Sequence, residues 1–166
     1  AGGEIETLGM CRDGHVVDRS GLTALVFVAD CLPVALAGPD GLAMLHCGWR
    51  GLAAGILGEG ADAVGATAAA IGPGIGPCCY EVQDDVFQAA RESLGPAAER
   101  FFPRRDGRMF MDLWQANRYQ LRACGLNDGN IHTAGLCTLC RNDLFPSHRK
   151  EAQQAGRFLA VIGIVP

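Results

Sequence analysis

Residues Ala29–Gly51 read ADCLPVALAGPDGLAMLHCGWRG, and their reading decides the fold. Two apolar runs, Leu32–Ala37 and Leu42–Leu45, flank Gly38-Pro39-Asp40-Gly41. That tetrad has the composition of a tight turn, so the stretch reads as a β-hairpin. Folding it brings together Cys31, at the start of the first run, and His46, at the end of the second. Gly48-Trp49-Arg50-Gly51 follows at once and opens a helix, so backbone N–H groups and a guanidinium lie near the same spot. A thiol, an imidazole and an arginine converging on one mouth make a candidate active site.

Outward from the hairpin, Leu22–Ala29 (LTALVFVA) is a continuous apolar run that reads as a buried central strand. Asp30 at its end is costly to bury unless its carboxylate accepts hydrogen bonds. His15-Val16-Val17 can form a short strand after the Asp13-Gly14 turn, and Ala1–Cys11 reads as a loop or an edge strand. Downstream, Trp49–Val64 reads as one helix with Leu52, Ile56, Leu57 and Val64 near one face. Each of its glycines costs about 1 kcal/mol relative to alanine, so packing must hold it. Ala66–Gly72 reads as a strand. Gly72–Pro77 is too broken by Gly and Pro for regular structure, and no Gly-Lys-Ser/Thr follows to make it a phosphate-binding loop. Val82–Leu94 has helical spacing, with Glu81, Asp84 and Asp85 where the helix dipole favours them. Asp112 caps a helix over 113–124, with Gln115 completing a capping box and Gly125 ending it. Asn130–Ala134 is a short strand, Leu136–Ser147 is irregular, and Phe158–Val165 closes the chain as a buried strand. Strand pairs followed by helices favour an α+β fold, a single layered domain over residues 1–166 with mixed sheets.

The chain of 166 residues is long enough for a sizeable core. No run approaches the roughly 20 apolar residues of a membrane span, and the start has no signal-peptide pattern. A net charge of −4 argues against nucleic acid as a partner. Eight cysteines suit a disulfide scaffold in a small secreted chain, but nothing indicates secretion, so a reducing cytoplasm with free thiols is expected.

Cys31 and His46 have the donor chemistry of a zinc site, where three protein ligands and water are usual. The same two could form a nucleophile–base dyad or a buried thiol and a core histidine. Cys137-Thr138-Leu139-Cys140 is a CxxC pair. A tetracysteine site would need a second pair, and Cys78-Cys79 are adjacent rather than spaced, so ordinary packing is expected ahead of structural zinc, with a redox dithiol last. Arg50, Arg149 and Arg157 could hold phosphate or carboxylate through bidentate contacts. His15, His132 and His148 read as structural.

The ordered motifs Ala29-Asp30-Cys31-Leu32-Pro33-Val34, His46-Cys47-Gly48-Trp49-Arg50-Gly51, Ile71-Gly72-Pro73 through Tyr80-Glu81-Val82, Cys137-Thr138 and Gly156-Arg157 resemble the YfiH/YlmD-type laccase-domain family. Its members were first called multicopper polyphenol oxidases and are now regarded as purine nucleoside phosphorylases. The resemblance implies an α/β domain with a zinc ion bound by one Cys and two His. It implies phosphorolysis of adenosine, inosine, guanosine and methylthioadenosine, with adenosine deamination at the same site. By motif, Cys31 and His46 map to two of the ligands. The third, in a Gln-x-His segment some way before the cysteine, is absent from these residues, and His15 does not occupy that motif. The expectation is therefore an N-terminally truncated domain, the alternative being a degraded metal site in a chain that acts only as a binding or structural module. Arg50, beside a helix start, is the candidate for holding the phosphate.

A trinuclear-plus-blue-copper oxidase needs about ten histidines, many in His-x-His pairs. Four histidines without such a pair exclude it, although a cysteine–histidine site ranks copper above zinc. The rival enzyme reading is a metal-free cysteine hydrolase or deamidase with Cys31 as nucleophile, since the fold resembles a bacterial toxin deamidase domain. Neither oligomeric state nor base preference follows from the sequence.

Overall fold

The computed structural model describes residues 13–164. The hairpin forms as read: β3 (Leu32–Gly38) and β4 (Gly41–Cys47) pair antiparallel, from Leu32 opposite Cys47 to Gly38 opposite Gly41. They are the centre of a five-stranded sheet. β1 (Gly14–Val17) lies antiparallel on β4, β5 (Ala68–Ile71) lies antiparallel on β3, and β9 (Ile131–Thr133) runs parallel to β5 at the edge.

The period of two divides the hairpin between two cores. Leu32, Val34, Leu36, Ala43, Leu45 and Cys47 face the helical layer and are fully buried. On that side lie α1 (Trp49–Ala54), α2 (Ile56–Val64) and α4 (Leu113–Ala123), with α3 (Asp84–Leu94) against α1. Cys31, Ala35 and Met44 face a second, smaller core beneath a two-stranded sheet of β2 (Thr23–Val28) and β10 (Phe158–Gly163). A third sheet, β6 (Glu81–Val82), β8 (Arg108–Phe110) and β7 (Arg104–Arg105), flanks the helices. Together these make the α+β layering that the sequence implied.

Several local expectations change. The helix expected over Trp49–Val64 is two helices, because Gly55 adopts φ 83° and caps the first through bonds to the Gly51 and Leu52 carbonyls. That left-handed conformation is easy only for glycine. β2 is not a central strand, and β10 is not fully buried. Among the described residues they pair only with each other, and Phe27, Leu159 and Val161 stand on their outer face about half exposed. A continuous apolar run does not reveal which of its alternate residues lack a covering layer. Asp112 caps α4 by accepting from the Gln115 backbone N–H at 3.0 Å. The reciprocal half of the capping box is absent, since the Asp112 N–H is already bonded to the Phe101 carbonyl. Arg104-Arg105 is one arm of a small hairpin with Arg108 and Met109. The expectation for Ala1–Cys11 lies outside the described residues.

Candidate functional site

Cys31 and His46 line one cleft of about 310 Å³ at the end of the hairpin. Register explains this. His46 stands opposite Pro33, and Cys31 precedes Leu32, so the two are diagonal neighbours on one face of the β3–β4 ladder. The thiol lies over Gly48: a Cβ there would be 2.6 Å from the Cys31 sulfur. If Cys31 and His46 hold a metal, as the motifs imply, Gly48→Ala is therefore expected to drive the sulfur out of line and to lower that affinity at least tenfold while the chain still folds. Metal titration with circular dichroism as the control checks it.

Asp13 approaches from β1's side. Its carbonyl accepts the His46 backbone N–H at 2.7 Å, and its carboxylate lies 3.8 Å from His46 Nδ1. Burial lowers the His46 pKa, with Arg157 acting the same way and Asp13 opposing them, so the imidazole is held towards its neutral form. Burial also raises the Cys31 thiol, and Asp30 and Asp13 raise it further against Arg157 and Arg50, to about 11.

The cleft is also lined by Arg50, Arg149 and Arg157, three cations brought together from two far-separated parts of the chain. Among the described residues none of the three is in an ion pair. Arg50 stacks over Trp49 at 4.3 Å from the ring centroid. Arg149 donates to the Glu81 carbonyl at 2.8 Å and lies 5.4 Å from the Tyr80 ring. Arg157 donates to the carbonyls of Ala155 and Gly156. Burial raises the Tyr80 phenol to about 12, so it stays a donor at neutral pH. The helix that follows Gly48 has only six residues, so guanidinium groups rather than a helix dipole dominate the attraction for an anion. His148, read as structural, also lines this cleft, whereas His132 borders a larger, almost wholly apolar groove of about 560 Å³ that holds neither Cys31 nor His46.

Asp30 holds the cleft wall together. It is buried at φ 76°, Oδ1 accepts the Thr138 hydroxyl and Oδ2 the Arg149 backbone N–H, both at 2.6 Å. Its carbonyl accepts the Ile75 N–H at 2.8 Å. The carboxylate thus finds the hydrogen bonds that its burial requires.

The CxxC pair, for which ordinary packing is expected, meets the adjacent pair in a second cluster. Cys78, Cys79, Cys137 and Cys140 place their sulfurs within 4.8 Å of one another, an arrangement that could hold a metal ion. The signal was present as two cysteine pairs, but adjacency in the first hid it, because only the fold shows that both can face inward.

The geometry defines a layered α/β protein with a thiol–imidazole pair beside a cationic cleft. Residues 4–165 match the family described as multi-copper polyphenol oxidoreductase laccase, and the chain belongs to that laccase-domain family, in its YfiH/YlmD branch. It is 38% identical to purine nucleoside phosphorylase YlmD of Geobacillus stearothermophilus, over 91% of this chain and 59% of that protein. A purine nucleoside phosphorylase of Xylella fastidiosa is 39% identical, over 91% and 61%. Among solved structures, the YfiH protein of Bacillus licheniformis superposes with a TM-score of 0.85 at 34% identity, over 92% of this chain and 61% of that one. YlmD of G. stearothermophilus superposes with a TM-score of 0.83. The chain spans about three fifths of the length of these relatives. No helix among the described residues is long and apolar enough to cross a membrane.

Proposed function

We propose that the protein is a purine nucleoside phosphorylase, acting on adenosine, inosine, guanosine and methylthioadenosine with phosphate, and that the same site deaminates adenosine. The observation that carries this reading is the cleft itself, where Cys31 and His46 meet Arg50, Arg149 and Arg157. The relatives' names point the same way. The free thiols among the described cysteines fit a reducing cytoplasm.

The donor set fits zinc. One sulfur, one imidazole and a carboxylate behind the imidazole are the elements of a zinc site with its supporting acid. With Nδ1 turned towards Asp13, Nε2 of His46 is the nitrogen for ligation. When bound there, zinc would supply Lewis-acid chemistry; copper suits the same donors. The reading requires a third ligand, and the coding sequence ahead of Ala1 tests it by the presence of a Gln-x-His.

The chain's own residues do the rest. The three arginines bind phosphate and hold it against the positive charge that develops on the sugar as the glycosidic bond breaks. Trp49 and Tyr80 offer aromatic surface to the base, and the Tyr80 phenol can donate a hydrogen bond. Asp13 orients the imidazole. A metal-free cysteine hydrolase is the weaker reading, because a nucleophilic cysteine needs a depressed pKa and the surroundings of Cys31 raise it.

Phosphate-dependent release of adenine from adenosine by the zinc-loaded protein is the test, and adenine release independent of phosphate would defeat the reading. Arg50→Ala is expected to raise the KM for phosphate about tenfold, as loss of one charge-assisted contact implies. An unchanged phosphate dependence would remove Arg50 from that role.

A further inference from the structure

We propose that Cys78, Cys79, Cys137 and Cys140 bind a structural zinc ion as a tetrathiolate, separate from Cys31 and His46. The inference stands independently of the phosphorylase reading.

Geometry comes first. Four thiolates around a tetrahedral zinc, with bonds near 2.3 Å, sit roughly 3.8 Å apart. The Cys78 and Cys79 sulfurs lie 3.6 and 3.4 Å from that of Cys140, and all four fall within 4.8 Å. None of the four is in a disulfide. The cluster is therefore already near the size of the ion's coordination sphere.

The backbone supports it. Residues 137–140 form a tight turn, with the Arg141 N–H on the Cys137 carbonyl at 2.9 Å. The Gly76 N–H donates to the Cys137 sulfur at 3.2 Å, the kind of contact that favours a thiolate. This needs a residue without a side chain, since a Cβ on Gly76 would lie 2.8 Å from the Trp114 ring and 3.2 Å from the Cys137 Cβ. Both loops are otherwise irregular, joined by one short bridge between Gly74 and Cys137. A cation closing so long a loop has much entropy to remove from the unfolded chain.

Zinc is the choice among thiophilic ions. Its filled d shell imposes no geometry of its own, so it tolerates the distortion that adjacent Cys78 and Cys79 impose. The bound ion would fix Tyr80, one residue beyond the first pair, and Thr138, inside the second. Tyr80 lines the cleft and Thr138 donates to Asp30, so the site braces one wall of the cleft from behind.

The test uses the Cys31→Ser protein, purified under reducing conditions without added metal, so that an ion at the other site does not enter the count. About one zinc per chain is expected by mass spectrometry of metals, and adding Cys140→Ser should remove it, whereas adding Cys124→Ser should not. In the unsubstituted protein, which needs no variant to fold, a chelator should expose at least four further thiols to a disulfide reagent, with Cys31 as a fifth where zinc also sits at the cleft. Zinc retained after Cys140→Ser, iron or copper found in its place, or Cys78, Cys79, Cys137 and Cys140 already reactive before chelation would overturn the proposal.

Discussion

Asp30→Ala is expected to lower the unfolding free energy by about 3 kcal/mol, which a shift in the urea midpoint at constant slope would show. Three losses act in the same direction, partly offset because a carboxylate no longer has to be buried. The Thr138 hydroxyl and the Arg149 N–H each lose a buried, charged acceptor at 2.6 Å, and hydrogen bonds to charged groups are worth roughly 1.5–3 kcal/mol each. Alanine must also take the positive φ of 76°, a conformation that aspartate and asparagine tolerate better. Asp30→Asn separates these causes. It keeps the backbone and can still accept from Thr138, but it turns an amide towards the Arg149 N–H, so about half the loss is expected. A loss below about 1 kcal/mol for alanine would mean that water replaces the carboxylate and that the wall is not held there.

On the proposed phosphorylase reading, His46→Ala is expected to abolish zinc retention at the cleft and to cut phosphorolysis by about a thousandfold, the scale of losing an activated centre rather than a binding contact. Asp13→Asn tests the supporting role more finely. Asparagine keeps the shape but not the charge 3.8 Å from Nδ1, and loss of such a partner typically costs 10–100-fold in metal affinity or activity. Zinc affinity and kcat should therefore fall together in Asp13→Asn, with KM for phosphate unchanged. A variant with full zinc affinity would show that the carboxylate is a solvated neighbour only.

The hairpin was legible because turn chemistry and apolar alternation agree over Leu32–Cys47, and each is a local property. Cys31 and His46 could be named for the same reason: a two-residue turn sets their register. Arg149 and Arg157 could be read as anion-binding candidates but not placed beside Cys31 and His46, and His148 read as structural, since each depends on how segments over a hundred residues from the hairpin return to it. Gly55 broke an expected helix through one dihedral angle that periodicity does not carry. Phe27, Leu159 and Val161 misled because an apolar strand shows its composition but not which face is covered.

By itself, then, the amino-acid order determined the β3–β4 pairing, the thiol–imidazole diagonal and, through ordered motifs, membership of the laccase-domain family. Only the tertiary structure decided that three arginines share the cleft, that Asp30 ties its wall together, and that Cys78-Cys79 meet Cys137 and Cys140. Local pairing follows from neighbours along the chain, whereas these assemblies arise where the burial of two separate cores forces distant loops to one end of the sheet.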